Sequence, residues 1–284
     1  MNKITICAAA AAALFALNAQ AADATSGATV KVNVAGTEMP KDVDAVTSAS
    51  VVPKEFRQTV KPNGFTRDGS KVRVLFVVGD PRHESVEWDL VNTAMKHFME
   101  KGCEVELRDL YAIGWNPVIT RDTFFQAKDG FGPTPKDVAV EQLMVAPADY
   151  IIFAYPNWHD TPNAMVKGYM ERVFQKKFAY RDTDKGLEGL LKGKGIFTIM
   201  NCGWIGQGHG GLGDGIDKNP IWDKYLTAFK TLDDDTAGFW GVTNMGRFCN
   251  DQTPANLSKN YGKEIESLRG DLVKFLDKTF KYAK

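Results

Sequence analysis

Three short apolar runs, separated by amphipathic stretches, restrict the fold of this chain more than any other feature. Val72-Arg-Val-Leu-Phe-Val-Val78 is almost wholly apolar, rich in β-branched residues, and ends at Gly79. Tyr150-Ile-Ile-Phe-Ala-Tyr155 and Gly195-Ile-Phe-Thr-Ile-Met200 repeat that character. Runs of this kind, without polar alternation, predict strands covered on both faces, as in a parallel sheet. Val105-Glu-Leu-Arg-Asp109 predicts a shorter, alternating strand, and Thr236-Ala-Gly-Phe-Trp-Gly-Val-Thr243 a fifth. Helical patterns lie between them. Ser85 can cap a helix with Val91, Ala94, Met95, Phe98 and Met99 on one stripe, stopped by Gly102. A polar loop containing Gly130, Gly132, Pro133 and Pro135 leads into a helix over 135–144. Thr161 as N-cap with Pro162 at the first position predicts another, burying Met165, Tyr169, Met170, Val173 and Phe174. A last helix over 254–282 presents Ile265, Leu268, Leu272, Phe275, Leu276 and Phe280 to the core.

Strands alternating with helices at this spacing predict an α/β domain over 71–284, a doubly wound parallel five-stranded sheet of order 2-1-3-4-5. A ligand then sits beyond the carboxyl ends of the first, third and fourth strands, where the strand order reverses. That brings three loops to one crevice, at residues 79–85, 156–161 and 201–211.

The chain begins like an exported one. Residues 1–21 combine Lys3, an apolar run from Ile4 to Leu17 and Ala19-Gln-Ala21 as a cleavage box, the layout of a secretory signal peptide. Cleavage near Ala21 leaves 263 residues in a periplasmic or otherwise extracytosolic compartment, with 34 Lys and Arg against 35 Asp and Glu. So even a balance argues against nucleic acid or an anionic membrane surface as partner. Cys103, Cys202 and Cys249 remain, enough for one internal disulfide at most. Their spacing matches no zinc site, and no metal is expected.

Residues 22–70 have no helical apolar period and are punctuated by Pro40, Pro53, Pro62, Gly64 and Gly69, which predicts an extended or flexible arm. The arm carries an imperfect repeat. Asp23-Ala-Thr-Ser-Gly-Ala-Thr29 recurs 21 positions later as Asp44-Ala-Val-Thr-Ser-Ala-Ser50. Each copy ends in a hydroxyl residue behind alanine and another small residue, a peptide suited to a narrow enzyme cleft with its last hydroxyl available for esterification. The first copy resembles the flavinylation sequence of covalent-FMN proteins, such as subunits of the sodium-pumping NADH:quinone reductase. That resemblance implies FMN joined through its phosphate to Thr29 by a flavin transferase, and Ser50 is the second candidate. A disordered Ala-, Ser- and Thr-rich leader is the alternative. From Ser50 to Lys71 a flexible chain would span roughly 25 Å, about the width of a small domain.

Within the domain, Pro81-Arg82 with Ser85, and Glu104-Val-Glu-Leu-Arg-Asp-Leu-Tyr-Ala-Ile-Gly-Trp-Asn-Pro-Val118, resemble the flavodoxin-like NAD(P)H:quinone oxidoreductase family. So do Tyr155-Pro-Asn-Trp158 with Pro162, Lys167-Gly-Tyr-Met-Glu-Arg-Val-Phe174 and Gly189-Leu-Leu-Lys-Gly-Lys194. The resemblance spans about residues 71–250. It implies a flavodoxin-like fold, a flavin, often a homodimer, NAD(P)H as a possible donor, and two-electron reduction of quinones or similar small acceptors.

The candidate cofactor-binding residues follow from the loops. Arg82 and Ser85 suit a phosphate. Pro156, Asn157, Trp158 and His159 offer a flat wall with backbone donors and acceptors, and Gly203 with Trp204 allows close approach to a ring. His209 is the catalytic candidate, resembling by position a histidine that handles protons beside the flavin; a plain surface histidine is the alternative. Asp80, Glu84 and Glu87 crowd the helix start that would receive the phosphate, and oppose it electrostatically. The leading expectation is an exported FMN-dependent oxidoreductase whose redox partner is a membrane quinol system or another flavinylated protein. A non-catalytic flavin carrier and a flavodoxin-like ligand-binding protein without flavin are the alternatives.

Overall fold

A computed structural model describes residues 51–202, 222–251, 253, 254 and 258–284. Residues 1–21, read above as a signal peptide, and Thr29, Ser50, Gly203, Trp204 and His209 lie outside the described residues. The elements in chain order are β1 (Arg73–Val78), α1 (Val86–Glu100), β2 (Glu104–Asp109), α2 (Arg121–Asp129), α3 (Lys136–Val145), β3 (Tyr150–Pro156) and α4 (Ala164–Val173). They continue with β4 (Tyr180–Thr183), β5 (Gly186–Gly189), β6 (Gly195–Cys202), α5 (Trp222–Trp240), β7 (Thr243–Asp251) and α6 (Tyr261–Thr279). The main sheet runs β2-β1-β3-β6-β7 with every pairing parallel, the predicted order; β4 and β5 form a separate antiparallel hairpin.

Alternation along each central strand divides the core in two. Leu75, Val77, Ile151, Phe153, Tyr155 and Met200 point to the layer with Val166, Tyr169, Val173 and Trp240 of α4 and α5. Val74, Phe76, Val78, Ile152, Ala154, Phe197 and Ile199 point to the opposite layer, with Leu90, Met95 and Phe98 of α1 and Leu268, Leu272 and Leu276 of α6. Central strands covered on both faces have no polar side to show, which is why their sequences lack alternation.

The structure corrects the sequence reading in three places and adds a helix in a stretch that the sequence reading left unassigned. Residues 236–240 end helix α5, and the fifth strand follows them over Thr243–Asp251. Gly241, with φ of 74°, turns the chain between the two, and Gly189 packs so closely on its backbone that neither position admits a side chain. The 121–129 stretch is helical, held by a Thr120–Thr123 capping box and closed by Gly130 at φ 72°. Helix α4 is capped by Asn163, whose side chain accepts from the Val166 amide, so Thr161 and Pro162 stay in the preceding loop. The last helix begins at Tyr261, and Phe275 on it is 37% exposed.

Residues 51–66, with one 3-10 turn over Lys54–Phe56, pack along the domain. The Val52 amide donates to the Glu84 carbonyl (2.8 Å), and Val52 is fully buried. Gln58 Nε2 donates to Thr93 Oγ1 (2.6 Å), the Val60 amide to Asn92 Oδ1 (3.0 Å), and Asn63 Nδ2 to the Cys103 carbonyl (3.0 Å). Arg269 of α6 clamps the strap from the other side, pairing with Asp89 (2.6 Å) and donating to the Phe56 carbonyl (2.6 Å). A chain bonded at each of these points has already lost the freedom that a random-coil span assumes.

Candidate functional site

The strand order reverses between β1 and β3, so the crevice opens above their carboxyl ends. Gly79 ends β1. Its amide donates to the Ala154 carbonyl (2.9 Å), and a Cβ there would lie 2.4 Å from Val166 Cγ2 and 2.9 Å from Asn163 Oδ1. Only glycine fits so near α4. The Asn163 amide group in turn donates to the Gly79 carbonyl while its oxygen caps α4. One buried asparagine therefore locks the first loop to the start of α4.

The next residue, Asp80, is fully buried. Its Oδ1 accepts from the Arg82 amide and from Arg82 Nε, both at 3.0 Å. Its Oδ2 accepts from Arg82 Nη2 at 3.1 Å and from Ser85 Oγ at 2.7 Å. The Trp88 indole donates to the Asp80 carbonyl (2.8 Å), and the Trp88 amide donates to Ser85 Oγ (3.2 Å), which makes Ser85 the N-cap of α1. The two residues expected to hold a phosphate are thus brought together, and both are engaged by the chain's own carboxylate.

Behind this pair lies Glu87, also fully buried. Its Oε2 accepts from the Asn201 amide at the end of β6 (2.7 Å), and its Oε1 has no partner among the described residues. Burial first, and the neighbouring Asp80 second, push the Glu87 carboxyl well above the ordinary carboxylate range; the Asn201 amide opposes the shift. Glu84 contributes its carbonyl to Val52, and His83 Nε2 meets Asp109 Oδ2 at 2.7 Å while its ring packs on Trp88.

The loop after β3 has a different character. The Asn157 amide donates to the Asn201 carbonyl (2.8 Å), tying it to β6. His159 and Asp160 both adopt left-handed backbone, φ 58° and 61°, in a tight turn that pairs Trp158 with Thr161. Pro156 is buried as the last residue of β3, and His159 is exposed on the turn. Trp158 is 42% exposed, with the Arg82 guanidinium 6.0 Å from its ring centroid. Of the predicted residues, Arg82 and Trp158 approach each other, Ser85 and Pro156 are buried, Asn157 is half-buried and tied to β6, and His159 is exposed. Tyr155, expected in the core, is there: its hydroxyl accepts from Arg247 Nη1 (2.8 Å), and burial pushes it up to about 12.

Sequence reasoning missed Asn163 as the link between the two loops. A usable signal was present, because Asn163 follows Pro162 and is itself a preferred capping residue. It also treated Asp80 only as an electrostatic opponent of phosphate, where the structure makes it the acceptor for Arg82 and Ser85. The three thiols Cys103, Cys202 and Cys249 are unpaired and raised by burial, Cys103 to about 11 and Cys249 to about 12.

Residues 72–255 match the family model described as flavodoxin-like fold. The chain belongs to that family. Among curated relatives it is 34% identical over 104 residues to an uncharacterized NAD(P)H oxidoreductase of Haemophilus influenzae, covering 37% of this chain and 50% of that protein. It is 31% identical over 151 residues to ribosyldihydronicotinamide dehydrogenase [quinone] of Pongo abelii, covering 48% of this chain and 64% of the other. The chain therefore spans between half and two thirds of the length of these relatives. In fold it resembles an FMN-dependent NADH-azoreductase of Bacillus anthracis solved in complex with FMN, with a TM-score of 0.50, 17% identity, and 73% of this chain and 98% of that one covered.

Proposed function

We propose that this flavodoxin-like family member is an exported, flavin-dependent oxidoreductase of the quinone-reductase type, whose FMN is carried covalently on the N-terminal arm. The oxidoreductase part is supported by the family match over residues 72–255 and by relatives named for NAD(P)H and quinone chemistry. A flavin would supply two-electron oxidation and reduction. The acceptor is a quinone or another small conjugated molecule. The donor is NAD(P)H, or in an extracytosolic setting a membrane quinol system or another flavinylated protein. The homodimeric state belongs to the same reading.

The observation that carries the covalent part is where the arm joins the domain. Val51 pairs with Ser85, and Val52 donates to Glu84, so the chain runs onto the domain at the first loop of the crevice. Ser50 is the residue bonded to Val51, and 22 peptide units separate Thr29 from Val51, a reach of at most about 75 Å. Flavin on Ser50 would be tethered next to the first loop, at high effective concentration. Attachment by a flavin transferase balances as a phosphoryl transfer from a flavin dinucleotide. The Thr29 or Ser50 oxygen forms the new P–O ester, the pyrophosphate bond breaks, nucleoside monophosphate leaves, and the hydroxyl proton passes to a base of the transferase.

The fit is uneven along the cofactor. The opening by Trp158 suits a flat ring. The α1 start does not suit a free phosphate, because Asp80 already satisfies Arg82 and Ser85 there.

Turnover tests the reading. Chain co-produced with a flavin transferase is expected to reduce a quinone or azo compound with NAD(P)H or a reduced flavoprotein as donor, and the double variant T29A/S50A to lose that activity. Flavinylated protein that accepts electrons but reduces neither acceptor would instead be a carrier, and colourless protein from the same co-production a ligand-binding relative.

A further inference from the structure

We propose that Asp80 excludes a free phosphate monoester from this domain by occupying, with its own carboxylate, the anion position at the start of α1. The start of a helix offers unpaired amide donors and the positive end of its dipole, which ordinarily favours a phosphate or other anion. Here the favoured anion is internal. Both Asp80 oxygens are used: the Arg82 amide and Nε hold one, and Arg82 Nη2 and Ser85 Oγ hold the other. These are charge-assisted bonds around a fully buried group, whose backbone carbonyl is fixed by the Trp88 indole.

The backbone on either side of Asp80 is fixed. Gly79 before it is pinned by the Ala154 carbonyl and by Asn163, and any side chain at that position would strike Val166. Ser85 after it caps α1 and pairs with Val51. A phosphate would therefore have to displace Asp80 from Arg82 and Ser85, or sit beside it as a like charge. Glu87, fully buried in the first turn of the same helix, adds a second carboxyl near the first. The same arrangement makes Asp80 a specificity determinant among flavins. Riboflavin and an arm-linked flavin keep no monoester that must enter this position, whereas free FMN does. The flavin half of this proposal rests on the function proposed above; the phosphate half does not.

The test uses the full chain produced without a flavin transferase, with riboflavin, FMN and inorganic phosphate as separate probes. The wild-type protein is expected to bind FMN no tighter than riboflavin, within about threefold. Millimolar phosphate is expected to leave the backbone amide resonances of Val86 and Glu87 unmoved. Asp80→Asn keeps the shape and removes the charge. It is expected to tighten FMN about tenfold, a step of about 1.4 kcal/mol, with riboflavin unchanged, and to make both amides respond to phosphate. Wild-type protein that binds FMN tenfold tighter than riboflavin, or whose Val86 and Glu87 amides shift with phosphate, would overturn the proposal, and neither result depends on the folding of a variant. If neither flavin binds at all, the flavin reading of the crevice fails, while the phosphate titrations of wild type and D80N still decide the role of Asp80.

Discussion

The loops after β1 and β3 face one crevice and are built in opposite ways. The first is closed on itself: Asp80 and Ser85 are buried, and Arg82 is committed to Asp80. The second is open, a tight left-handed turn that holds Trp158 42% exposed and His159 outside. A loop that satisfies its own polar groups contributes stability and little binding capacity, whereas one that displays an aromatic face pays in exposed apolar surface for a place to bind. In the proposal above, the crevice therefore holds a ligand by a flat, uncharged part and not by an anionic tail.

Substitutions can break or sharpen that contrast. The largest effect is expected from Gly79→Val, whose side chain would overlap Val166 and Asn163; a loss of about 3 kcal/mol in urea unfolding is expected. Asn163→Ala removes the α4 cap and leaves the Gly79 carbonyl without its donor, for about 2 kcal/mol by the same measurement. Ser85→Ala removes the α1 cap and one Asp80 donor, and about 1 kcal/mol is expected.

Glu87 gives a smaller effect with a defined pH dependence. An acid raised on folding contributes stability that is complete below its ordinary value of 4.5 and is lost as pH rises through the higher folded value. Glu87→Gln does not ionise. It is expected to match the wild type in Tm near pH 4 and to exceed it near pH 8; a wild type that gains on E87Q as pH rises would reverse the sign. Trp158→Ala closes the series, with stability changed by less than about 0.5 kcal/mol and riboflavin affinity reduced about tenfold. Equal stability losses in the two loops would erase the distinction between them.

The parts of the fold readable from sequence were those under the simplest physical constraint. β1, β3 and β6 are buried on both faces and so read as unbroken apolar runs. β7 is an edge strand carrying Asn244, Arg247, Asn250 and Asp251, polar groups that find partners only in three dimensions: Arg247 pairs with Asp233 (2.8 Å) and Asn250 donates to Asn201 (2.7 Å). Helix α5 hides its period because Leu226, Leu232 and Phe239 are exposed beside buried Phe229 and Trp240. α2 is similar, with Phe124 and Phe125 both facing outward. That Arg82, Ser85 and Trp158 follow strand ends was legible, because strand ends are positioned by topology. The role of Asp80 was not, since charge alone reads as repulsion and only geometry turns it into an acceptor. The points at which residues 51–66 are held were not legible, because their partners are side chains on α1 and α6, far away in sequence.

That packed strap also fixes how the arm can be tested: it is to be cut or altered before Val51, leaving the bonds to Glu84 and Ser85 intact. The most direct measurement is the fate of flavin when protein co-produced with a flavin transferase is acid-denatured and weighed. The account predicts that flavin stays with the precipitated chain, whose mass rises by one or two FMN groups, each less one water, on the peptides containing Thr29 and Ser50. Flavin released into the supernatant, with the chain at its unmodified mass, would contradict it.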